Sequence, residues 1–175
     1  HHQGVALRVE GFSYAETGDI LDRCRESGEN GLIILLDGIQ DPHNLGAIIR
    51  TADASGIHGI IIRFRREVGL TATVAKASAG AIEYIPVARV TNIGETINTL
   101  QKENIWIIGI DAAGEANYQS VDFRLPSVIV IGGEGKGLSD LVKKKCDLLA
   151  SIPMRGTINS LNASVAAALV MYEAF

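Results

Sequence analysis

The sequence predicts an α/β fold with a mostly parallel sheet of about six strands flanked by helices. Short runs rich in Ile, Val and Leu alternate along the chain with longer stretches of helical periodicity, which is the order of a parallel sheet. The first run, 32-LIILL-36, is apolar throughout, as expected of a strand covered by helices on both faces. The 175 residues, 47% hydrophobic and 21% charged, suffice for one domain with a buried core.

Six strands and five helices are predicted in order. The predicted strands are residues 32–36, 57–62, 85–90, 105–110, 128–131 and 148–152. The predicted helices are residues 44–55, 71–79, 92–103, 138–146 and 159–175. Pro42 and Asn44 mark the start of the first of these helices, and Gly56 marks its end. Asn92, three residues before Glu95, is a candidate cap for the third.

Residues 1–16 have no strong periodicity, and only Val5, Leu7 and Val9 alternate briefly. We interpret them as a lead-in segment that pairs at an edge of the sheet. One α/β domain is therefore predicted over residues 17–175.

Composition excludes several classes of protein. The net charge of −4 is not that of a protein whose whole surface binds a polyanion. The apolar runs are shorter than the roughly 18 residues that cross a bilayer, so no membrane span is predicted. Cys24 and Cys146 lack the spacing of a zinc site or a disulfide framework, which indicates a reducing cytoplasm.

Three segments carry polar or glycine residues where predicted strands end, which is where an open α/β sheet binds ligands. The first is 37-DGIQDPHNLGAIIRTADASG-56. Asn44 and Arg50 are six residues apart, about 600° of helix, so their side chains do not share a face. Asn44 either caps the helix or belongs to a site. The apolar neighbours of Arg50 predict partial burial, and a half-buried Arg attracts an anion.

The second segment, 128-VIVIGGEGKGLSD-140, runs from a strand through four glycines into a helix. It lacks the Ser or Thr of a Walker loop after Lys136, and Leu138 stands where a dinucleotide fingerprint has its third glycine. Glycines let a backbone approach a ligand closely, so we expect a binding loop with Glu134 as its functional carboxylate.

The third segment follows the last predicted strand and contains Asn159, Ser160, Asn162 and Ser164 before an alanine-rich helix. Asn159 or Ser160 would cap that helix, but four such side chains exceed what a cap requires. We expect the surplus to belong to a site. The alanines at 166–168 permit close helix packing, within the chain or across a dimer.

Two basic runs, Arg63 with Arg65 and Arg66, and the lysines at 143–145, are typical of solvated faces. With an RNA substrate the arginine run would contact phosphates, because it follows a strand end.

Together, the segments 37–56, 130–140 and 151–166 resemble the three ordered motifs of the SpoU, or TrmH, family of RNA 2′-O-ribose methyltransferases in the SPOUT superfamily. The match spans most of the chain. The sequences of its motifs are most similar to those of the bacterial branch that methylates a guanosine ribose in 23S ribosomal RNA.

The resemblance implies a C-terminal trefoil knot and S-adenosylmethionine bound in it, at positions that match Gly132, Ile152 and Leu161, with Met154 nearby. It also implies a cytoplasmic homodimer whose active site lies near the subunit interface. RNA is the implied partner, not DNA or a membrane. Members of the close branch often carry a small RNA-binding domain upstream, so residues 1–16 look like a remnant of the linker that follows it.

Carried over residue by residue, Asn44 and Arg50 match the catalytic pair of the first motif. Glu134 matches the acid of the second, and Ser160 and Asn162 match the polar pair of the third. The implied reaction is attack of a ribose 2′-hydroxyl on the sulfonium methyl group, without a metal. Arg50 would either accept the hydroxyl proton or hold an RNA phosphate and stabilise developing alkoxide charge.

Three alternatives stay open. They are methylation of a tRNA ribose, methylation of a base, and a non-catalytic module of the same fold that binds RNA or a nucleotide.

Overall fold

The computed structural model describes residues 11–175, which form a seven-stranded sheet between two layers of helices. The strands are β1 Leu32–Asp37, β2 Gly59–Arg63, β3 Val87–Val90, β4 Trp106–Ile110, β5 Ala116–Asn117, β6 Ser127–Gly132 and β7 Leu148–Ser151. The helices are α1 Thr17–Ser27, α2 Pro42–Ala54, α3 Ala72–Ala77, α4 Ile93–Lys102, α5 Asp140–Lys145 and α6 Ala163–Ala174. The predicted α/β fold is confirmed.

The strands lie in the order β3-β2-β1-β6-β4-β7-β5, and every neighbouring pair is parallel. The order reverses beside β1, because β2 and β3 lie on one side of it and the later strands lie on the other. Ligands of open parallel sheets bind at such a reversal, beyond the carboxyl ends of the strands. Here the reversal puts the ends of β1 and β6 side by side, with Asp37 paired to Gly132.

Alternate residues of the central strands face the two helix layers. In β1, Ile34 packs in the core that α2, α3 and α6 cover, whereas Ile33 packs in the core that α1, α4 and α5 cover. All six residues of β1 are buried. The unbroken apolar run therefore reflects cover on both faces, as predicted.

Two elements escaped the sequence prediction. Strand β5 has only two residues, too few for a hydrophobic pattern. Helix α1 is mostly polar and fully buries only Ile20. The signal that marks its end is Gly28, which has a left-handed φ of 70° at the C-cap.

Helix α2 begins at Pro42 and is capped by Asp41, whose carboxylate accepts the N–H of His43 at 2.9 Å. The alternative in which Asn44 caps this helix is therefore wrong, because an earlier acid already fills that role. The predicted cap at Asn92 of α4 is confirmed.

Helix α6 begins at Ala163 and not at residue 159, and its cap is Asn162 and not Asn159 or Ser160. One cap suffices for a helix, and Asn162 already accepts two backbone N–H groups. Residues 159–161 consequently stay outside the helix.

The described part of the lead-in segment joins an edge of the sheet. Ala15 forms an isolated parallel bridge with Ala88 of the edge strand β3. This agrees with the predicted edge pairing. The alternation of Val5, Leu7 and Val9 lies outside the described residues.

Candidate active site

The loops after β1 and β6 meet at the carboxyl edge of the sheet. The N–H of Gly133 donates to the carbonyl oxygen of Asp37 at 2.9 Å. A Cβ at Gly133 would overlap the backbone of Gly38, and a Cβ at Gly132 would overlap the backbone of Gly137. Glycine is therefore required at positions 132 and 133, where the backbones pack against each other.

Three polar side chains, one from each motif segment, meet at this edge, and we call Asn44, Glu134 and Asn162 the polar triad. Asn44 Nδ2 donates to Glu134 Oε1. Asn162 Nδ2 donates to Asn44 Oδ1 at 3.0 Å and lies 3.3 Å from Glu134 Oε1. Asn44 is buried, so this network supplies the partners that its amide needs away from water.

Asn162 also fixes the start of α6. Its Oδ1 accepts the N–H groups of Ser164 at 2.9 Å and Val165 at 3.3 Å, and the Ser164 hydroxyl at 2.6 Å. Because Oδ1 accepts the N–H groups of the helix, Nδ2 is left to donate to the other two members of the triad. The cap thus orients the amide toward Asn44 and Glu134.

A cavity of about 650 Å³, here cavity A, lies among the ends of β4, β6 and β7 and the non-helical segment before α6. All four residues predicted to bind the cofactor line this cavity, namely Gly132, Ile152, Met154 and Leu161. Glu134 and Ser160 line it as well. Its volume is within the range of small-molecule sites, and its lining joins apolar side chains to backbone and a few polar groups.

Asp111 and Lys143 form an ion pair on the wall of cavity A, with Nζ and Oδ2 2.9 Å apart. Burial alone would raise the pKa of Asp111, but the N–H groups of Ala113 and Leu138 and the Lys143 ammonium outweigh it and hold that pKa below its ordinary value. The lysine run predicted a solvated face, and this prediction is wrong for Lys143. Its ammonium pairs with the Asp111 carboxylate at the end of β4.

A second cavity of about 640 Å³, here cavity B, is lined by the loops after β1, β2 and β6. Asn44, Arg63 and Arg66 line cavity B, and Glu134 lines both cavities. The carboxylate of the polar triad therefore stands where the two cavities adjoin.

Arg63 belongs to an ion-pair network and not to a solvated face. It pairs with Asp37, and its Nε lies 3.8 Å from Glu67 Oε1. Both carboxylates are buried, with side chains 3% and 1% exposed, so the charge of Arg63 is already compensated. Arg63 also lines cavity B, so its role as a phosphate contact stays a prediction. Arg65 and Arg66 are exposed.

Arg50 is exposed on α2, so its predicted partial burial is wrong. Its apolar neighbours Ile48, Ile49 and Ala52 are fully buried on other faces of the helix. As the spacing predicted, Asn44 and Arg50 do not share a face: Asn44 lines cavity B, and Arg50 lines neither cavity. One chain therefore assembles the triad without Arg50.

Three buried acids at this edge escaped the sequence analysis, namely Asp37, Glu67 and Asp111. Burial raises the pKa of Glu67 and outweighs the backbone N–H groups of Arg63 and Gly38, which act to lower it. The signal for Asp37 and Asp111 was available, because each follows an apolar run at the end of a strand. Glu67 carried no such signal.

Within residues 11–175, no group of three or more His, Cys, Asp or Glu residues is arranged to hold a metal ion. No helix in the described part of the chain is long and apolar enough to cross a membrane.

The sequence of this chain is similar to those of one known protein family. Residues 31–172 match the SpoU rRNA Methylase family. The chain belongs to this family. YacO of Bacillus subtilis (strain 168), whose name assigns it to the TrmH family of tRNA/rRNA methyltransferases, is 52% identical over 174 residues, which are 99% of this chain and 70% of YacO.

Solved structures that share the fold of this chain include two methyltransferases. The SpoU methyltransferase AviRb from Streptomyces viridochromogenes, in complex with the cofactor AdoMet, is 35% identical with a TM-score of 0.79. The similarity covers 83% of this chain and 57% of AviRb. An RNA 2′-O ribose methyltransferase is 27% identical with a TM-score of 0.76, over 95% of this chain and 59% of the other. This chain thus spans less than two thirds of either solved chain.

Proposed function

We propose that this SpoU-family chain methylates the 2′-hydroxyl of a ribose in structured RNA with S-adenosylmethionine as methyl donor. The observation that carries the proposal is the polar triad, whose Glu134 lines both cavities. One cavity then holds the methyl donor and the other admits the ribose. The target we propose is a guanosine of 23S ribosomal RNA.

Cavity A suits S-adenosylmethionine. Its glycine loop exposes backbone groups, and Ile152, Met154 and Leu161 offer apolar surface for the adenine ring. Asp111 and Lys143 add charged groups on the same wall. When bound, the cofactor supplies an electrophilic sulfonium methyl group, so no metal is required.

The polar triad would orient the groups that meet between the cavities. Asn44 and Asn162 share hydrogen bonds with the Glu134 carboxylate, which fixes three side chains from three different loops. Such preorganised positioning can supply roughly 7–11 kcal/mol of a barrier. Ser160, which lines cavity A, would position the cofactor side of the same site.

We propose a homodimer in which Arg50 serves the active site of the other subunit. Arg50 is exposed and lines neither cavity of its own chain. Across the interface it would bind an RNA phosphate or accept the proton of the 2′-hydroxyl. A guanidinium stays protonated in ordinary surroundings, so we favour the phosphate role, with stabilisation of the developing alkoxide.

The first experiment is calorimetric titration of the chain with S-adenosylmethionine and S-adenosylhomocysteine. We expect saturable binding of one ligand per chain. Absence of binding by the folded protein would contradict the enzymatic proposal and favour the non-catalytic RNA-binding module.

The second experiment maps the product. RNA labelled by the enzyme is hydrolysed with alkali, which a 2′-O-methyl group blocks at its own position. Resistance at one guanosine of 23S ribosomal RNA is the expected result. Cleavage at the labelled nucleotide would indicate base methylation, and label in tRNA alone would move the target to a tRNA ribose.

The cysteines bear on the location. We propose the cytoplasm, where the two free thiols, Cys24 and Cys146, stay reduced. The upstream RNA-binding domain and the trefoil knot stay predictions of the family resemblance.

A further inference from the structure

The segment 63-RFRRE-67 after β2 is a turn tied at both ends. The Phe64 N–H donates to the Val90 carbonyl oxygen at 2.7 Å. At the other end Glu67 accepts the N–H groups of Arg63 at 2.9 Å and Gly38 at 2.7 Å. With the Arg63 ion pairs added, the backbone of this turn is anchored to two neighbouring loops.

The three side chains between these anchors all face outward. Phe64, Arg65 and Arg66 are exposed, whereas Arg63 and Glu67 point into the protein. Arg66 adopts a left-handed φ of 66°, which is uncommon for a residue with a side chain. Strained backbone of this kind is concentrated at functional sites. Arg66 also lines cavity B, so the turn borders the side of the site that we assign to RNA.

The ring of Phe64 is already positioned. The Arg89 guanidinium carbon lies 4.4 Å from its centroid, and Arg89 Nη2 donates to the Phe64 carbonyl oxygen at 2.9 Å. Arg89 itself also packs over the Tyr14 ring, 5.2 Å from its centroid. Half of Phe64 is nevertheless exposed. An apolar ring is thus held in place at the surface instead of being buried.

We propose that Phe64 is a stacking platform for an unpaired nucleobase of the RNA, beside the target nucleotide. This inference rests on the proposed RNA substrate and deepens it. Exposed aromatic rings stack unpaired bases in proteins that bind single-stranded RNA. Arg65 and Arg66 follow Phe64 in the turn and are exposed, and the Arg89 guanidinium packs on the ring. These cations suit the phosphates on either side of such a base.

The site therefore takes RNA whose target region is a loop, a bulge or an opened strand. A base within a continuous duplex has both faces covered by its neighbours and cannot stack on Phe64. The charge of the turn also favours a polyanion over an apolar protein partner, because two exposed arginines follow Phe64 in the chain and a third packs on its ring.

The test compares the variants Phe64→Leu and Phe64→Trp with Trp106→Leu as control. Trp106 is 49% exposed, almost as Phe64 is at 50%, but lies at the start of β4, at the opposite end of the strands. Leu keeps an apolar side chain against Arg89 and removes the ring. Affinity is measured for a short single-stranded oligoadenylate RNA and for an RNA duplex of equal length.

We expect Phe64→Leu to weaken binding of the oligoadenylate by about tenfold or more, with Phe64→Trp and Trp106→Leu close to the original protein. Duplex affinity should change little. In a Phe64→Trp, Trp106→Phe double variant, the oligoadenylate should also quench the fluorescence of the introduced Trp. Thermal unfolding checks that each variant is folded.

Unchanged oligoadenylate affinity in Phe64→Leu, or no measurable binding by the original protein, would overturn the proposal. A lost dimer with unchanged RNA affinity would instead assign Phe64 to a protein contact. Because these measurements need no methyl donor, their failure is distinguishable from failure of S-adenosylmethionine binding, which tests the proposed function.

Discussion

At the scale of single residues, the site is built from amides and acids whose hydrogen-bonding groups are shared with the fold. Asn162 is the clearest case, because one of its atoms caps α6 while the other donates to Asn44 and Glu134. Asn44 is the buried member of this network, so its amide depends on the other two for hydrogen-bond partners, whereas Glu134 and Asn162 are exposed. The start of α6 and the geometry of the site are therefore set by the same side chain.

The two roles of Asn162 can be separated by substitution. Asn162→Ala removes both, so we expect the free energy of unfolding to fall by about 1 kcal/mol from the lost cap, with weaker S-adenosylmethionine binding and slower methyl transfer. Asn162→Ser keeps a capping oxygen but not the amide donor, and should restore stability without restoring transfer. Urea unfolding, calorimetry and labelled methyl transfer measure these effects. Full transfer activity in Asn162→Ser would contradict a role in the triad.

Arg50 should affect transfer and not cofactor binding. We expect Arg50→Ala to slow methyl transfer by at least about a hundredfold, because the group that we propose to act on the RNA is lost. S-adenosylmethionine affinity should stay within twofold, since Arg50 does not line cavity A. Arg50→Lys is the control that keeps the charge and loses the planar fork.

Mixing subunits tests whether Arg50 acts across the dimer. If it does, an exchanged mixture of Arg50→Ala and Asn162→Ala subunits regains activity at about a quarter of its sites, because half of the dimers are mixed and each has one intact site. A mixture as inactive as its parents would place Arg50 in its own subunit's site.

The Asp111 carboxylate should make stability depend on acid pH. Its folded-state pKa is lowered, so its stabilisation is complete above the ordinary carboxyl pKa and is lost as pH falls through the lowered value. At pH 7 we expect Asp111→Asn to lower the free energy of unfolding by about 1–2 kcal/mol, because the bonds to Lys143 and to two N–H groups become weaker. Urea unfolding should show this difference narrow below about pH 4. A difference independent of pH would contradict the assignment.

At the scale of elements, helix packing and not helix propensity decides which glycines the fold needs. Gly46 lies inside α2 where that helix crosses α3, and a Cβ there would overlap Ala77. Gly94 lies in the first turn of α4, and a Cβ there would meet only side chains, at 3.3 Å or more. The same residue type is thus obligatory in one helix and optional in another.

Two alanine substitutions distinguish these positions. Propensity alone would make Ala better than Gly by roughly 0.5–1 kcal/mol in both helices. We expect Gly46→Ala to lower the free energy of unfolding by about 1–3 kcal/mol, because α2 and α3 must move apart. Gly94→Ala should be neutral or stabilising, since its nearest neighbour is the flexible end of Lys145. Chemical unfolding of both variants measures the contrast, and equal effects would refute it.

At the scale of the whole molecule, one face of α6 stays partly exposed in the described chain. Val165, Leu169 and Tyr172 are spaced by four and three residues, lie on one side of the helix and are 47%, 39% and 55% exposed. The opposite side packs into the core through Ala167 and Val170. An exposed apolar stripe on a helix that also carries the site is the surface we assign to the dimer.

Leu169→Lys should therefore give a monomer. A charge in the centre of a self-complementary interface is opposed by its own symmetric copy and is costly to bury. Leu141→Lys is the matched control, because Leu141 is also an exposed helical leucine, on α5 over the other face of the sheet. Light scattering gives the mass of each variant. A dimer that survives Leu169→Lys would exclude this surface.

Most of the fold could be predicted, because its strands and helices have local patterns of hydrophobic residues. Runs such as 32–36 record burial directly, and their alternation with helical periodicity gives a parallel sheet. What was missed is short or polar: β5 has two residues, and α1 buries little beyond Ile20. Patterns of hydrophobicity carry no signal for such elements.

The three segments that meet at the candidate site could be named from the sequence, but their arrangement could not. The sequence by itself determined which segments we propose to carry the chemistry, because glycines, amides and acids at strand ends have few structural reasons to be there. Only the tertiary structure decided that Asn44, Glu134 and Asn162 bond to one another and that Arg63 is neutralised by Asp37 and Glu67.

The tertiary structure also decided that Arg50 faces away from the triad of its own chain. The physical reason is common to all these cases. Burial and pairing of a polar group depend on which loops the sheet brings together, and contacts between residues far apart in the chain leave no periodicity in the sequence.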